Sequence, residues 1–293
     1  MHRFLLHNGE IRDTSEKLVS PGQVGLLNGW GVFSTLRVKE GVLFAWERHY
    51  ARMKKDAERM RIPFPGDADA FHAALLELVR ANHARDSTLR VVIVRNKGGP
   101  YEGHGIDRPF DLIAFTKDLT QWGDGVRLAV KTRARLSGAD FSGTKILSWS
   151  MNLTWLEEAQ SLGMDEMLLL DDRGFVSECT SANIFIVEGN RVWTPPLSCG
   201  CLPGVTRAVI LEELHVPETP IGEREITLQE LSAADDVFIT SSTRDLLPVK
   251  EVDGKPMKQN GQVRKRLLEA FAEYMESYVA ARRTGGSIPR QEI

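Results

Sequence analysis

Two hairpin turns precede the first helical pattern in this chain, and that order points its N-terminal part to a mixed α+β arrangement. Asn8-Gly9 closes an arm over residues 4–11, and Glu40-Gly41 turns residues 32–39 back onto 42–46. Such turns join antiparallel neighbours. Helical spacing of apolar residues follows over 47–60 and 68–84, interrupted by Pro63 and Pro65. Two short apolar runs, 89–94 and 112–115, flank a loop over 96–109. Together these predict a small α+β domain of about 120 residues.

Residues 118–125, with Trp122 among polar and glycine residues, read as a linker. The expected domains are therefore 1–120 and 121–293. In the second, strands are expected near 126–132, 166–171, 183–187 and 236–240, and helices over 147–162, 205–214 and 262–280. The tail 282–293 is polar and is expected to fray. With 293 residues, 42% of them apolar, two such domains can each bury a core. A formal charge of -3 gives no footprint for nucleic acid or an anionic membrane. The longest apolar runs, such as 167–170 and 91–94, are far too short to span a bilayer, and MHRFLLHNGE lacks a signal-peptide core. A cytoplasmic protein is expected. Three cysteines make no disulfide framework, and Cys199-x-Cys201 has no nearby partner for a metal, so none is expected.

The run from Gly143 to Arg207 carries the chemistry. Lys145 is followed 33 residues later by Glu178 in a polar turn, and then by LPGVTR (residues 202–207), a glycine turn opening a helix. A neutral lysine amine condenses with an aldehyde, a carboxylate held against a pyridine nitrogen raises its basicity, and a helix N-terminus binds phosphate. These are the groups that hold pyridoxal 5'-phosphate (PLP). Singly they say little. Lys145 alone reads as a solvated residue before a helix, Glu178 as an exposed turn residue, and Arg52 as one face of an amphipathic helix.

The surrounding sequence adds order. Lys145 precedes a helix ending in Glu158-Ala159 and the strand start Gly163-Met164-Asp165-Glu166. Glu178 opens E-C-T-S-A-N-I-F, Arg52 lies in His49-x-x-Arg52-Met53, and residues 240–249 read TSSTRDLLPV. Over roughly residues 7–254 this order resembles the class IV aminotransferases, fold-type IV PLP enzymes that include branched-chain and D-amino acid aminotransferases and aminodeoxychorismate lyases. The resemblance implies a small N-terminal α+β domain and a larger C-terminal α/β pseudo-barrel. It implies that Lys145 forms the Schiff base with PLP and shuttles the substrate proton, that Glu178 holds the pyridine nitrogen, and that Asn183 orders its loop. It also implies phosphate binding by Arg52, Val205, Thr206, Ser242 and Thr243, with the last two facing the substrate carboxylate as well. Finally, it implies a homodimer, with the pocket closed by a loop of the neighbouring subunit.

The substrate side diverges from the branched-chain pattern. Where those enzymes carry Tyr-Gly-x-x-[VL]-Phe-Glu-Gly-x-Arg, this chain reads Asn28-Gly29-Trp30-Gly31-Val32-Phe33-Ser34-Thr35-Leu36-Arg37. Phe-[ST]-Thr-x-Arg is closer to the lyases. The spacing from Lys145 to Asn152 is of the aminotransferase type, however, and Ser150 stands where branched-chain enzymes often have a cofactor-binding tyrosine. Asn28 and Thr35 are expected to shape the substrate pocket, and Arg90 aligns with an arginine that binds a distal carboxylate. The D-enzymes' Arg-x-His trap is replaced by Pro100-Tyr101-Glu102, which disfavours D-substrates. Three functions follow: an aminotransferase acting on hydrophobic or branched-chain L-amino acids and 2-oxo acids, an aminodeoxychorismate lyase releasing pyruvate and 4-aminobenzoate, or a PLP-binding protein without turnover. The first is favoured.

Overall fold

A computed structural model describes residues 1–283; the expected fray of the tail falls largely on 284–293, outside the described residues. The chain separates into two compact units. The first comprises residues 1–120, the short segment 145–148 and the chain from Met275; the second comprises 121–144 and 149–274.

In the first unit the two hairpin signals become β1 (Phe4–His7) with β2 (Glu10–Asp13), and β3 (Gly31–Lys39) with β4 (Val42–Leu43). Asn8 and Glu40 both adopt positive φ beside Gly9 and Gly41, the backbone hand that tight hairpins require. A short helix α1 (Val24–Asn28) precedes β3, and helices α2 (Trp46–Arg59) and α3 (Ala68–Ala81) follow the hairpin. β5 (Ser87–Arg95) and β6 (Phe110–Asp118) complete an antiparallel sheet of order β2-β1-β6-β5-β3-β4. Alternate residues of β3, namely Val32, Leu36 and Val38, join Met53, Ala57, Phe71, Leu75 and Leu78 in one core. A strand's period of two thus gives one sheet face to the helices and leaves Phe33, Thr35 and Arg37 on the other.

The second unit holds a nine-stranded sheet. Its elements are β7 (Val126–Arg135), α4 (Ser150–Ser161), β8 (Glu166–Asp171), β9 (Val176–Cys179), β10 (Asn183–Glu188), β11 (Arg191–Thr194), α5 (Val205–Glu212), β12 (Ile221–Glu223), α6 (Leu228–Ala233), β13 (Asp236–Ser241), β14 (Asp245–Val252), β15 (Lys255–Pro256) and α7 (Gln262–Arg283), the last ending in the first unit. Strands run β12-β11-β10-β13-β14-β7-β8-β9, with β15 on β14. In a flat sheet β9 and β10 would lie five spacings, about 24 Å, apart. The chain nevertheless passes from Cys179 to Asn183, a link that reaches at most about 14 Å, and Cys179 N–H donates to Ala182 O at 2.8 Å. The sheet must curl, as a pseudo-barrel does. Inside the curl Leu168, Val176, Ile184, Ile186, Val237, Ile239 and Val249 form the core.

Two local expectations change. The helix expected from residue 147 begins at Ser150, because Leu147 N–H is committed to Gly31 O and Ser148 Oγ donates to Gly29 O. Glu178, expected in a polar turn, lies in β9 opposite Leu169, since two short strands joined at residues 172–175 read alike with a turn.

Candidate active site

Each unit carries its own cluster of candidate side chains. In the first, β4 pairs with β3 only at Val38 and Lys39, so the start of β3 is an open edge. Residues 145–147 fill it. Phe33 N–H donates to Lys145 O at 3.0 Å, Leu147 N–H donates to Gly31 O at 2.9 Å, and Ile146 bridges Val32. Glycine at position 31 permits this approach, because a Cβ would stand 2.5 Å from Ile93 O and press into Leu147. The lysine is therefore fixed by sheet hydrogen bonds rather than by a helix.

Lys145 Nζ lies 4.6 Å from the Phe33 ring centroid, and the Arg90 guanidinium carbon lies 3.9 Å from the same centroid. Arg90 is directly opposite Thr35 in the sheet register. Phe33, Thr35, Arg90 and the Lys145 amine are thus brought together. Burial lowers the pKa of Arg90, yet among the described residues it has no carboxylate partner.

On the helix-facing side, Ser34 is fully buried; its Oγ accepts from Arg52 Nη2 at 2.7 Å and lies 2.8 Å from His49 Nδ1. Arg52 can only donate to this oxygen, so in the neutral Nε2–H form of His49 the hydroxyl proton has Nδ1 as its acceptor. Burial, reinforced by Arg52 and Lys145, holds its pKa well below 6.5. The unfolded state therefore binds more protons than the folded state below that value. The stability His49 contributes is present above pH 6.5 and is lost as pH falls toward the folded pKa. We expect the thermal midpoint to fall between pH 7 and 5, and the fall to flatten in His49→Gln, as scanning calorimetry at several pH values would show.

His49, Arg52 and Asp56 recur at three and four residue intervals and so share a face of α2. Arg52 remains cationic at neutral pH although burial lowers its pKa to about 10. Asp56, only 3% exposed, accepts the Lys145 peptide N–H at 3.2 Å.

In the second unit Glu178 is mostly buried. Oε1 accepts from Arg135 Nε at 2.9 Å, and Oε2 accepts from Leu202 N–H at 3.0 Å. Arg135 Nη2 reaches Asn152 Oδ1 at 3.3 Å, and Asn152 Nδ2 donates to Thr180 O at 2.6 Å. The carboxylate is held from two sides while each oxygen keeps a further lone pair.

Helix α5 begins after Gly204 with no side-chain cap, leaving its first N–H groups, those of Val205 and Thr206, for an anion. A Cβ at Gly204 would overlap Asn183 Oδ1, and Asn183 Nδ2 donates to Leu202 O at 2.9 Å. Asn183 therefore ties β10 to the loop entering α5. Ser242 and Thr243 occupy the turn between β13 and β14. Trp122 Nε1 donates to Thr243 O at 3.0 Å, while Arg244 stacks 3.8 Å over the Trp122 ring and reaches Glu166 and Ser181 O. Asn28 is exposed; its side-chain amide donates to Val24 O of its own helix, and its main-chain carbonyl accepts from Ser148 Oγ at 3.4 Å.

Ser34, expected to help shape the substrate pocket, instead faces α2 and holds Arg52 and His49. Asp56, Arg135 and Arg244 were not expected at the site. Asp56 had a signal, its helical spacing from Arg52; Arg135 lies far from Glu178 in sequence and had none.

The sequence matches the amino-transferase class IV family over residues 31–252. The chain belongs to the class IV aminotransferase family. It is 33% identical over 272 residues to a putative branched-chain-amino-acid aminotransferase of Methanocaldococcus jannaschii, covering 91% of this chain and 94% of that protein. It is 29% identical over 255 residues to a D-alanine aminotransferase of Bacillus licheniformis, covering 86% and 89%. A branched-chain aminotransferase of Thermoproteus uzoniensis, solved with norvaline, superposes with a TM-score of 0.85 at 25% identity, covering 96% of this chain and 98% of that one. The fold is that of the fold-type IV enzymes. As a family member the enzyme is a PLP-dependent aminotransferase.

The residues present fit that cofactor. In the first unit Arg52 Nε is buried with no acceptor among the described residues, and Lys145 offers an amine; in the second the N–H groups opening α5 lack a side-chain cap, and Glu178 offers a carboxylate.

Proposed function

We propose that the enzyme transfers the amino group of a hydrophobic or branched-chain L-amino acid to a 2-oxo acid. The similarity to the M. jannaschii protein over nine-tenths of the chain carries this reading. PLP, when bound, supplies the electron sink for the substrate's α-carbon. In this reading Lys145 Nζ would hold the cofactor's aldehyde carbon and would take up and release the substrate's α-proton. The Glu178 carboxylate holds the proton on the pyridine nitrogen, with Arg135 and Leu202 N–H keeping it in place. Arg52 and the N–H groups of Val205 and Thr206 grip the phosphate, assisted by Ser242 and Thr243. Asn183 shapes the loop before α5. Ser242 and Thr243 also face the substrate carboxylate, while Asn28 and Thr35 contribute to the substrate side. The enzyme acts in the cytoplasm as a homodimer on small-molecule substrates, with no metal.

Arg52→Ala should raise the PLP dissociation constant about tenfold or more, the scale of a lost charge-assisted hydrogen bond, while kcat at saturating PLP changes little. Unchanged PLP retention on dialysis would remove Arg52 from the phosphate site.

Arg90 is the candidate for an acidic side chain. Its partly buried guanidinium awaits a carboxylate, which L-glutamate or 2-oxoglutarate would supply. Arg90→Ala should raise KM for L-glutamate about tenfold or more with little change for L-leucine, because a charged hydrogen bond contributes to one substrate alone. Equal effects on both donors would show a structural role.

A lyase reading draws on Ser34-Thr35 after Phe33. The deciding experiment is the visible spectrum of the purified enzyme with L-leucine, L-glutamate or D-alanine, without acceptor. Conversion of the visible band to the near-ultraviolet band of the aminated cofactor by an L-donor supports the proposal. A band indifferent to all three, with 4-aminobenzoate released from aminodeoxychorismate, would establish the lyase.

A further inference from the structure

We propose that Asp56 is a positioning residue for Lys145, whose buried carboxylate fixes the lysine's peptide N–H and balances the cations around its amine. This rests on the proposed cofactor role of Lys145. Asp56 sits one helical turn after Arg52 on α2, beside the core residues Met53 and Ala57. Its Oδ2 accepts the Lys145 N–H, a bond from α2 to the backbone of the 145–148 segment that the sheet edge does not provide.

A neutral side chain could accept that N–H equally well. Burial raises the pKa of Asp56, opposed by Arg52, the Lys145 N–H, Arg59 and Lys145 itself. An ionised carboxylate there costs stability at neutral pH, the sign expected of an acid whose folded pKa is raised. The charge is explained by what surrounds it. From α2 come Arg52, Arg59 and the neutral His49; from the sheet edge comes Lys145; and Arg90 of β5 lies over the Phe33 ring that Lys145 also overlies. Asp56 brings a negative charge among these cations and so offsets positive charge at Arg52 and at the lysine.

The two contributions separate in two variants. Asp56→Asn keeps an acceptor for the Lys145 N–H and removes only the charge; Asp56→Ala removes both. The probe is PLP, added to apoprotein, with three readouts: the thermal midpoint, the PLP dissociation constant, and the pH at which the visible band of the bound cofactor titrates. For Asp56→Asn we expect a thermal midpoint at or above that of the parent and a titration midpoint about one pH unit lower, since losing a neighbouring negative charge disfavours the protonated form. For Asp56→Ala the PLP dissociation constant should also rise about tenfold, as the anchor of the lysine backbone is lost. A titration midpoint and PLP affinity unchanged in Asp56→Asn would overturn the proposal, whether or not its thermal midpoint moves. Lys145→Ala serves as the control. If the parent shows no visible band with PLP, or Lys145→Ala retains it, the cofactor role of Lys145 fails; if that control behaves as expected and Asp56→Asn does not shift, only the role of Asp56 fails.

Discussion

Lys145→Ala will fold and will bind PLP without generating the visible band, and its turnover will fall by at least about 10²–10⁴-fold, the range that a positioned proton-transfer group supplies. The fold should survive because what holds this segment is main chain. Phe33 N–H to Lys145 O, Leu147 N–H to Gly31 O and the Ile146–Val32 bridge are all independent of the side chain. Asp56 also accepts from the peptide N–H, which alanine retains. PLP should still be captured because Arg52 and the start of α5 do not depend on the amine. Absorbance spectra, circular dichroism and single-turnover kinetics on the same preparation separate these effects. A variant that kept the visible band and its activity would require another lysine to be the reactive one.

The first sheet was readable because its turns are punctuated by glycine and its helices are separated by proline. Pro63 and Pro65 stand between α2 and α3; the cap that Asp67 gives α3 by accepting from Asp69 and Ala70 N–H was not read. In the second unit, β8 and β10 are long apolar runs and were expected, whereas β9, β11 and β12 have only three or four residues each. Strands that short carry too little periodicity to stand out from turns, and only the curl of the sheet gives them partners. That is why Glu178 read as a turn residue. The motif around it, by contrast, was legible as far as Asn183, since Asn183 acts on Leu202 and Gly204 through a geometry that neither an aspartate nor a residue with a Cβ at 204 would reproduce. Long-range partners were not legible. Arg135 meets Glu178 across 43 residues, and Asp56 meets Lys145 across 89. Neither pairing leaves a local pattern, because each is set by strand order and by an edge that β4 leaves open.

Glu178→Gln should leave the protein folded and lower kcat by about 10²–10³-fold, comparable with the loss of one preorganised electrostatic partner. The amide oxygen still accepts from Leu202 N–H or from Arg135 Nε, so one of these two donors keeps its partner while the amide NH2 faces the other. It no longer offers a full negative charge to hold a proton on the pyridine nitrogen, and the chemistry depends on that charge. Glu178→Ala should behave differently. Arg135 would remain mostly buried with its ion-pair partner gone, at a cost of about 3–5 kcal/mol, so the thermal midpoint should drop as well as the rate. The contrast between the variants tells the two roles of this carboxylate apart. Loss of turnover in both, with the larger loss of stability in Ala, is the expected pattern. Near-parental kcat in Glu178→Gln would mean that Glu178 serves only to pair with Arg135, and that another acid must be sought for the pyridine nitrogen.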